Sequence, residues 1–363
     1  MKILFILLAV ISVIAIVGII ILNHPCFGRR MSKERKARIE ASPNYRDGQF
    51  QNQIPTPQFT GDKSMFRALW EFLSESKKDR VPTEVVTAVK TDLKALTTGP
   101  STLRLNSGTA GSGAGKDWIV WFGHSSYLFC LDGKRYLVDP VLKMEFPVSV
   151  MMHPFKGTDI YSPDDMPEID VLIVTHEHWD HLDYATLRDL KDKVKHVVCP
   201  LGVAEYLEYW GYGPQSITEM DWYEKVDNIT CLPTRHFSNR LFKRNQTLWA
   251  SFMVESGGRK VYVGGDGGYD NRFKEIYERF GSVDLALMEN GQYNKDWANI
   301  HLMPKDLEQA ILDLHPKQVF TVHHDKFSLA PHAWTEPDSV AHDIAERNAI
   351  RLLDQPIGTV VEF

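Results

Sequence analysis

Three histidines and one aspartate within six positions constrain this chain more than any other feature of its sequence. They follow directly on residues 169–174, an apolar stretch whose β-branched residues indicate a buried strand. Imidazole and carboxylate groups are the ligands that bind zinc and similar divalent ions. His176 and His178 can hold one ion. Asp180 and His181 can hold a second ion nearby, which is the arrangement of two-metal hydrolytic sites.

The body of the chain follows an order of elements that favours a layered sandwich. Short strands joined by tight turns come first, and strands alternating with helices come after them. Two facing sheets with helices packed outside would carry the ligand loops along one edge. The predicted strands span residues 118–122, 127–131, 135–138, 169–174, 195–199, 229–233, 250–255, 260–263, 283–287 and 318–322. The predicted helices span residues 202–210, 271–280 and 304–314.

Three further side chains that can bind metal stand just after predicted strands, namely His236, Asp266 and His323. Glycines on both sides of Asp266 let the backbone approach a ligand closely. Together with the first cluster, these residues resemble the ligand order of the metallo-β-lactamase fold. The resemblance implies an α+β protein built as an αββα sandwich, with the site of a binuclear metallohydrolase. His324, the neighbour of His323, is the alternative for the last ligand.

The resemblance assigns seven ligands to two ions, with Asp266 and a hydroxide between the ions. The ligands are His176, His178 and His236 for the first ion and Asp180, His181 and His323 for the second. Histidine-rich ligation favours two zinc ions, and manganese or iron are alternatives. His124 and Asp139 stand at strand ends near the site. We expect them to orient ligands through hydrogen bonds, with a purely structural role as the alternative.

Other stretches of residues 42–335 resemble the N-acyl-phosphatidylethanolamine-hydrolysing phospholipase D family. They include Trp121-Phe122-Gly123-His124-Ser125-Ser126, Val138-Asp139-Pro140, Gly265-Asp266-Gly267-Gly268-Tyr269, and His301 followed by Met303-Pro304. The resemblance implies hydrolysis of a phospholipid phosphodiester that releases an N-acylethanolamine and phosphatidic acid. It also implies catalytic roles for Asp266 and His301, with His301 at the mouth of the substrate site.

Trp179 and Tyr269 are predicted to contact substrate together with His301. Trp179 and its neighbour Glu177 lie inside the first cluster, where the chain departs from the mammalian members of the family. A second departure is the sequence of residues 324–326, directly after the last ligand. Both departures touch the predicted pocket, so they bear on which lipid the site accepts and not on the ligand set.

Two other functions remain open. A lactonase of the same fold, acting on a small sugar-phosphate-like lactone, shares the Gly-His-Ser-Ser turn at residues 123–126. A membrane-tethered protein that only binds partners would not need the seven ligands that are present. A flavin-linked di-iron redox protein does not fit, because such relatives have glutamate at the position of His178 and carry a flavin domain.

Residues 3–22 are apolar except for Ser12 and Gly18. A helix of this length spans about 30 Å, the thickness of a bilayer core. We therefore predict an N-terminal transmembrane helix, with a cleaved signal peptide or a buried core helix as alternatives. Six basic residues within 29–38 follow it, which predicts a membrane protein whose catalytic body lies in the cytoplasm. These residues can also contact anionic headgroups. A cleaved signal would instead place the body in the periplasm or outside the cell.

The charge of the chain is unevenly distributed. Residues 1–38 hold seven of the 41 Lys and Arg residues and one of the 47 acidic residues, which leaves the remainder with a net charge of −12. A body this acidic is poorly suited to binding nucleic acid through its phosphates. We expect a phospholipid substrate and a membrane as partners, no nucleic acid, and an oligomeric state that the sequence leaves open.

We predict four segments: an anchor at residues 1–23, a basic and extended arm at 24–60, a helical extension at 61–117, and a catalytic domain at 118–363. The extension contains predicted helices at 63–76 and 83–96 and a glycine-rich loop at 108–115. Within the catalytic domain, the loop of residues 144–155 is unusually apolar. It is either a lip that faces lipid or a loop packed in the interior.

Overall fold

Two β-sheets with helices on their outer faces form the body of this protein. The computed structural model describes residues 2–61, 67, 70–71, 74, 79–98, 117–240 and 243–363. The strands are β1 (Tyr45–Arg46), β2 (Gln49–Phe50), β3 (Trp118–Trp121), β4 (Tyr127–Leu131), β5 (Lys134–Val138), β6 (Ile169–Ile173), β7 (Val194–Pro200), β8 (Ile217–Met220), β9 (Lys225–Val226), β10 (Ile229–Leu232), β11 (Ser251–Ser256), β12 (Arg259–Val263), β13 (Leu285–Glu289), β14 (Val319–Val322) and β15 (Val360–Glu362).

The helices lie between and beyond these strands. They are α1 (Lys2–Leu22), α2 (Lys33–Glu40), α3 (Tyr184–Leu190), α4 (Ala204–Tyr209), α5 (Arg272–Phe280), α6 (Pro304–Leu314) and α7 (Glu336–Asn348). Most of the predicted helix at 63–76 and the whole glycine-rich loop at 108–115 lie outside the described residues. Strands β1, β2, β8, β9 and β15 and helices α2, α3 and α7 were not predicted. Apart from the helix predicted at 83–96, the other predicted strands and helices are present within a few residues of their expected ends.

The first sheet has seven strands in the order β15-β3-β4-β5-β6-β7-β8, and the second has six in the order β14-β13-β12-β11-β10-β9. Their facing sides share one core, in which Trp121 and Phe129 of the first sheet meet Phe252, Leu287 and Phe320 of the second. Helices α3 and α4 cover the outer face of the first sheet. Helices α5, α6 and α7 cover the outer face of the second. The predicted αββα sandwich is confirmed.

Residues 83–96 are not helical, so this prediction was wrong. The segment runs as extended chain, and Val89 N–H donates to the carbonyl of Ile357 at 2.7 Å, beside an isolated bridge between Ala88 and Ile357. Six of its residues up to position 91 are β-branched, and such side chains lose rotamer freedom in a helix. Backbone hydrogen bonds to the body therefore replace those that a helix would have made.

Helix α1 is long and apolar enough to cross a membrane, and none of its residues from Phe5 to Leu22 is buried. A buried core helix is therefore wrong, whereas a membrane anchor and a signal segment share these properties. The arm that follows is not simply extended, since it contains α2 and the β1–β2 hairpin. Its side chains Ile39 and Phe50 are buried in the core between the two sheets.

The apolar loop at residues 144–155 is both packed and exposed. Val148 and Met152 are buried in a small cluster with Val141 and Phe327. In contrast, the side chains of Phe146, Val150 and Met151 are 55%, 64% and 70% exposed. Neither predicted alternative describes the whole loop, because one set of its side chains holds it on the body and another faces solvent.

Candidate metal centre

Within each sheet, the strands that precede the predicted ligands run in one direction. β3 and β5 are both antiparallel to β4, and β6 is parallel to β5. In the second sheet β10 and β12 are both antiparallel to β11, while β13 and β14 continue parallel to β12. Their carboxyl ends therefore meet at one edge of the sandwich. The polar side chains after these ends are His124, Asp139, His176, His178, Asp180, His181, His236, Asp266 and His323.

The first group of ligands consists of His176, His178 and His236. His178 Nδ1 lies 2.9 Å from His176 Nε2 and 3.2 Å from His236 Nε2. His236 Nδ1 donates to the carbonyl of Ile300 at 2.9 Å, which leaves its Nε2 with a free lone pair. Three imidazole nitrogens within 4.8 Å of one another form a set that can hold one divalent ion.

The second group consists of Asp180, His181 and His323, together with His124. Asp180 Oδ2 lies 2.9 Å from His124 Nε2, 3.6 Å from His181 Nε2 and 3.5 Å from His323 Nε2. These atoms also lie within 4.8 Å of one another. Two histidines from different strands and one carboxylate therefore converge on a second point, next to the first.

Asp266 lies between the two groups. Its Oδ2 is 3.2 Å from His181 Nε2 and 3.0 Å from His323 Nε2. The same oxygen is 3.9 Å from the Nε2 atoms of both His176 and His236. One carboxylate oxygen thus faces histidines of both groups, which is the position that a ligand bridging two ions would occupy.

The glycines after Asp266 allow this close approach of the backbone. A Cβ atom at Gly267 would lie 1.9 Å from Thr234 Oγ1, and one at Gly268 would lie 2.2 Å from the carbonyl oxygen of Asn299. Real Cβ atoms do not come so near to other atoms, so a side chain at either position would displace the Asp266 loop. Only glycine fits at positions 267 and 268, because there is no room for a Cβ atom.

Buried polar atoms of the centre lack partners, as expected for groups that hold a cation. Among the described residues, Asp266 Oδ1 is buried without any hydrogen-bond partner. His181 Nε2 and His323 Nε2 are also buried, and their contacts with Asp266 lie outside hydrogen-bond geometry. Leaving such groups unpaired is costly in the interior of a protein. The donor set therefore fits divalent metal ions.

The electrostatics of the two groups differ. Burial lowers the pKa of His178 to about 4 and holds the pKa of His176 and of His236 well below the ordinary value. These three imidazoles are neutral at pH 7, the form that binds metal. At His323, burial also lowers the pKa, but the carboxylates of Asp266 and Asp180 outweigh it and raise the pKa to about 10. These carboxylates favour positive charge at the second group, and a metal ion bound there would displace the proton from His323.

Asp139, predicted to orient ligands, forms a hydrogen bond with the predicted ligand His181. Its carboxylate accepts hydrogen bonds from His181 Nδ1 at 2.7 Å, from Thr175 N at 2.8 Å and from Thr175 Oγ1 at 2.5 Å. The bond to Nδ1 fixes the ring so that Nε2 points at Asp266. His124, also expected to orient ligands, lies closer than expected, because its Nε2 belongs to the second group itself.

We expect Asp139→Asn to weaken metal binding by about 10- to 100-fold, since an amide nitrogen would face the Nδ1 proton of His181. Metal affinity measured by competition with a fluorescent chelator checks this result. Asp170→Asn is the matched control, because Asp170 also accepts from a backbone N–H, that of Arg135 at 2.9 Å, at the opposite end of the same sheet. Equal affinities in the two variants would contradict the orienting role.

His301 lies at the centre beside the histidines of both groups. Its ring centroid is 5.2 Å from that of His236 and 5.3 Å from that of His323. Its Nδ1 lies 3.0 Å from Glu289 Oε2, a carboxylate that also accepts from Leu302 N at 2.6 Å. Glu289 was not predicted, although an acidic residue at the end of an apolar strand was a signal that could have identified it.

The other predicted substrate residues lie elsewhere. The Tyr269 hydroxyl donates to Asp313 at 2.5 Å and its ring stacks on Phe273, so helices α5 and α6 hold it outside the cavity lining. Trp179 contacts Phe27 and the guanidinium of Arg240. Neither side chain lines the cavity, so the predicted substrate contacts of Tyr269 and Trp179 are corrected. The physical reason is that each side chain packs against partners elsewhere.

His324, the alternative to His323, turns away from the centre. Its Nε2 lies 3.2 Å from Thr321 Oγ1 and its Nδ1 lies 3.2 Å from Asp325 Oδ1. The backbone at His323 has φ 74°, a left-handed conformation that separates the directions of these two neighbouring side chains. The structure therefore brings His323, and not His324, to Asp180 and Asp266.

A cavity of about 200 Å³ opens above the centre. Polar atoms line its floor, and its walls are largely aromatic and aliphatic. The floor residues are His178, Asp180, Asp266, His301 and His323, and the wall residues are Gln58, Phe59, Phe237, Arg244, Gln292, Trp297, Ile300 and Leu329. Gln58 and Phe59 come from the N-terminal arm. Their contribution was not predicted, and no local sequence pattern marks it.

This fold and this centre define a metal-dependent hydrolase. Residues 134–324 match the family model described as the β-lactamase superfamily domain, and the chain belongs to that superfamily. The predicted resemblance to the metallo-β-lactamase fold is thereby confirmed.

Particular relatives show where the chain lies within this superfamily. It is similar to uncharacterized protein Rv0906 of Mycobacterium tuberculosis, with 35% identity over 315 residues that cover 83% of this chain and 79% of the relative. It is also similar to N-acyl-phosphatidylethanolamine-hydrolyzing phospholipase D 1 of Caenorhabditis elegans, with 32% identity over 201 residues, 50% of this chain and 55% of that enzyme. Among solved structures, the metallo hydrolase Igni18 of Ignicoccus hospitalis aligns with a TM-score of 0.51 and 18% identity over 69% of this chain and 99% of its own.

Proposed function

We propose that this protein is a binuclear metal-dependent phosphodiesterase of the phospholipase D type, acting on N-acyl-phosphatidylethanolamine-like lipids. The products would be an N-acylethanolamine and a phosphatidic acid. The observation that carries the proposal is the position of Asp266 Oδ2, which lies 3.0 to 3.9 Å from histidines of both ligand groups at the floor of an apolar-walled cavity. The similarity to the nematode phospholipase supports the substrate class.

The two ligand groups would each hold one ion. The residues are His176, His178 and His236 for one ion and Asp180, His181 and His323 for the other, with Asp266 between them. Zinc suits such histidine-rich sets best, while manganese and iron bind similar ones. The ions would supply a hydroxide nucleophile near neutral pH and neutralise charge on the phosphate oxygens.

The cavity walls suit a phosphodiester that carries acyl chains. Phe59, Phe237 and Leu329 offer apolar surface to the chains beside the polar floor. Arg244 adds one positive charge to the wall, where its guanidinium lies 5.8 Å from the Phe237 ring and hydrogen-bonds Gln58. A guanidinium is well suited to phosphate oxygens. The walls would therefore hold the lipid while the floor holds its phosphate.

His301 is the residue we assign to proton transfer. Glu289 occupies its Nδ1, which leaves Nε2 as the ring nitrogen available to a substrate. Breaking the phosphorus–oxygen bond on the N-acylethanolamine side creates an alkoxide that needs a proton. His301 would hold that proton at Nε2 and give it to the leaving oxygen. Glu289 would act as a positioning residue that fixes the tautomer and the direction of the ring.

A substrate panel tests the proposal. The full chain in lipid nanodiscs is given N-acyl-phosphatidylethanolamine, a soluble bis-aryl phosphodiester and a sugar-phosphate lactone, and products are measured by mass spectrometry. We expect equal amounts of N-acylethanolamine and phosphatidic acid, with heavy oxygen from labelled water in the phosphatidic acid. Opening of the lactone without cleavage of either phosphodiester would assign a lactonase instead. A metal-loaded protein without turnover on any substrate would be a binding protein.

We expect His301→Gln to lower kcat by about 10²-fold or more, because the glutamine cannot deliver a proton. Glu289→Gln should lower kcat by about 10- to 100-fold, with metal content unchanged. Steady-state kinetics with metal analysis measure both effects. His342→Gln is the matched control, since His342 also pairs with a carboxylate, Asp354 at 2.8 Å, on the exposed surface. An unchanged kcat in His301→Gln would remove this residue from the mechanism.

A further inference from the structure

The segment that follows helix α1 is built into the catalytic body. The Arg35 side chain is only 10% exposed and forms ion pairs with Glu205, Glu208 and Glu219. Arg29 also pairs with Glu205, at 2.6 Å. These two arginines were predicted to be available to anionic headgroups, but carboxylates of the body neutralise them. Residues 24–40 are therefore a clasp, hereafter the N-terminal clasp, and not a flexible linker.

The clasp fixes the point at which α1 leaves the body. The His24 ring contacts the Tyr184 ring with centroids 5.5 Å apart, and the Phe27 ring contacts the Trp179 ring at 5.3 Å. Trp210 Nε1 donates to the carbonyl of Pro25 at 2.8 Å. Only Asn23 separates the end of α1 at Leu22 from these contacts. The exit point is therefore held beside the start of helix α3 and the loop of residues 174–183, hereafter the metal-binding loop.

The apolar loop at residues 144–155 is attached to the same helix α3. Arg188 of α3 pairs with Glu145 at 3.1 Å, and Lys143 pairs with Asp189 at 2.6 Å. Trp179, which contacts the clasp, also packs against the buried cluster of this loop. The three exposed side chains of the loop thus lie on the side of the body from which α1 departs.

This loop also borders the cavity. Leu329 packs against the cluster formed by Val141, Val148, Met152 and Phe327, and it lines the cavity wall. The loop thus shares Trp179 with the exit point of α1 and Leu329 with the wall of the cavity. Its outward side chains have no partner among the described residues that would cover them from water.

We propose that Phe146, Val150 and Met151 insert into the lipid bilayer that α1 spans, so that the cavity opens at the membrane surface. A bilayer is the partner that the geometry favours, because a helix long enough to span one leaves the body near Trp179, which packs against the cluster of this loop. Glu145, the acidic residue of the loop, is already paired with Lys143 and Arg188, so apolar insertion and not charge would hold the loop there. The proposal requires α1 to be a membrane anchor and is independent of which ester the centre cleaves.

Fluorescence quenching in nanodiscs tests this surface. Cys26, Cys130, Cys199 and Cys231 are all buried, so a cysteine introduced on the surface can be labelled selectively. We label Met151→Cys in the full chain with an environment-sensitive fluorophore and add lipids that carry a doxyl quencher near the headgroup end of the acyl chain. Side chains at an interface reach about 5–10 Å into the bilayer, within range of this quencher. The matched control is Leu312→Cys, since Leu312 is an exposed side chain of α6 on the opposite sheet.

We expect strong quenching and a blue-shifted emission at position 151 and neither at position 312. Val150→Cys gives a second, independent probe should the Met151 variant fold poorly. Equal quenching at the loop and control positions, or none at either loop position, would overturn the proposal. Because the readout needs no turnover, it separates failure of membrane docking from failure of the proposed reaction. Absence of phosphodiesterase activity of the full chain in the substrate panel, together with strong quenching at position 151, would contradict the proposed function and leave the docking surface standing.

Discussion

Replacing Asp266 with asparagine is expected to lower turnover by about 10³-fold or more and to release much of the bound metal. Asparagine has the same shape but no charge, so the histidines of both groups lose the one anion that lies between them. The Asp266 carboxylate is the main reason why the pKa of His323 is raised despite burial. Metal content by mass spectrometry and kcat on the best substrate of the panel measure the effect.

Asp343→Asn provides the control for this loss, because Asp343 is an exposed carboxylate on helix α7, away from the centre. It should keep full metal content and full turnover. Circular dichroism checks that Asp266→Asn is folded, so that a loss of turnover reports on the centre. An Asp266→Asn variant that keeps both its metal and its turnover would contradict the binuclear assignment.

Replacing Arg240 with methionine is expected to lower the free energy of unfolding by about 3–5 kcal/mol. Arg240 is 4% exposed, and its Nε and Nη1 donate to the carbonyls of Cys26 at 2.8 Å and Glu177 at 2.6 Å. Its guanidinium also lies 4.0 Å from the centroid of the Trp179 ring. Methionine fills part of the space but leaves two carbonyls unpaired and the Glu177 carboxylate without a nearby buried cation.

Calorimetry should show a decrease in Tm of roughly 4–7 °C for this variant. The matched control is Arg347→Met, because Arg347 pairs with Glu308 at 2.9 Å while its own side chain is 60% exposed. Exposed pairs contribute little, so this variant should change the unfolding free energy by less than about 1 kcal/mol. Similar decreases in both variants would show that Arg240 does not join the clasp to the metal-binding loop.

Much of the centre could be predicted because its ligands directly follow apolar strands. His236, Asp266 and His323 each stand within four residues of a strand end, and parallel strands bring such positions to one edge. Asp139 has the same placement. The local sequence pattern identifies the candidate ligands, and the common direction of the strands explains why these residues lie close together.

The parts that were not predicted depend on contacts between distant segments. Gln58 reaches the cavity by bonding Arg244, 186 positions away, and nothing near residue 58 indicates this partner. Tyr269 belongs to a familiar motif, yet the carboxylate of Asp313 holds its hydroxyl away from the cavity. The extended course of residues 83–96 likewise depends on hydrogen bonds to Lys156 and Ile357. Tertiary partners decided each of these outcomes.

The division of ligands between the two sheets has a consequence for how the protein matures. Each proposed ion takes two ligands from the loop after β6 in the first sheet and its remaining histidine from the second, namely His236 or His323. During synthesis, a nascent chain that has not yet released residue 323 can complete at most one of the two coordination shells. Metal binding would therefore be completed late in synthesis and would connect the two sheets. A chain made under metal starvation should be cleaved more readily by proteases between its two sheets.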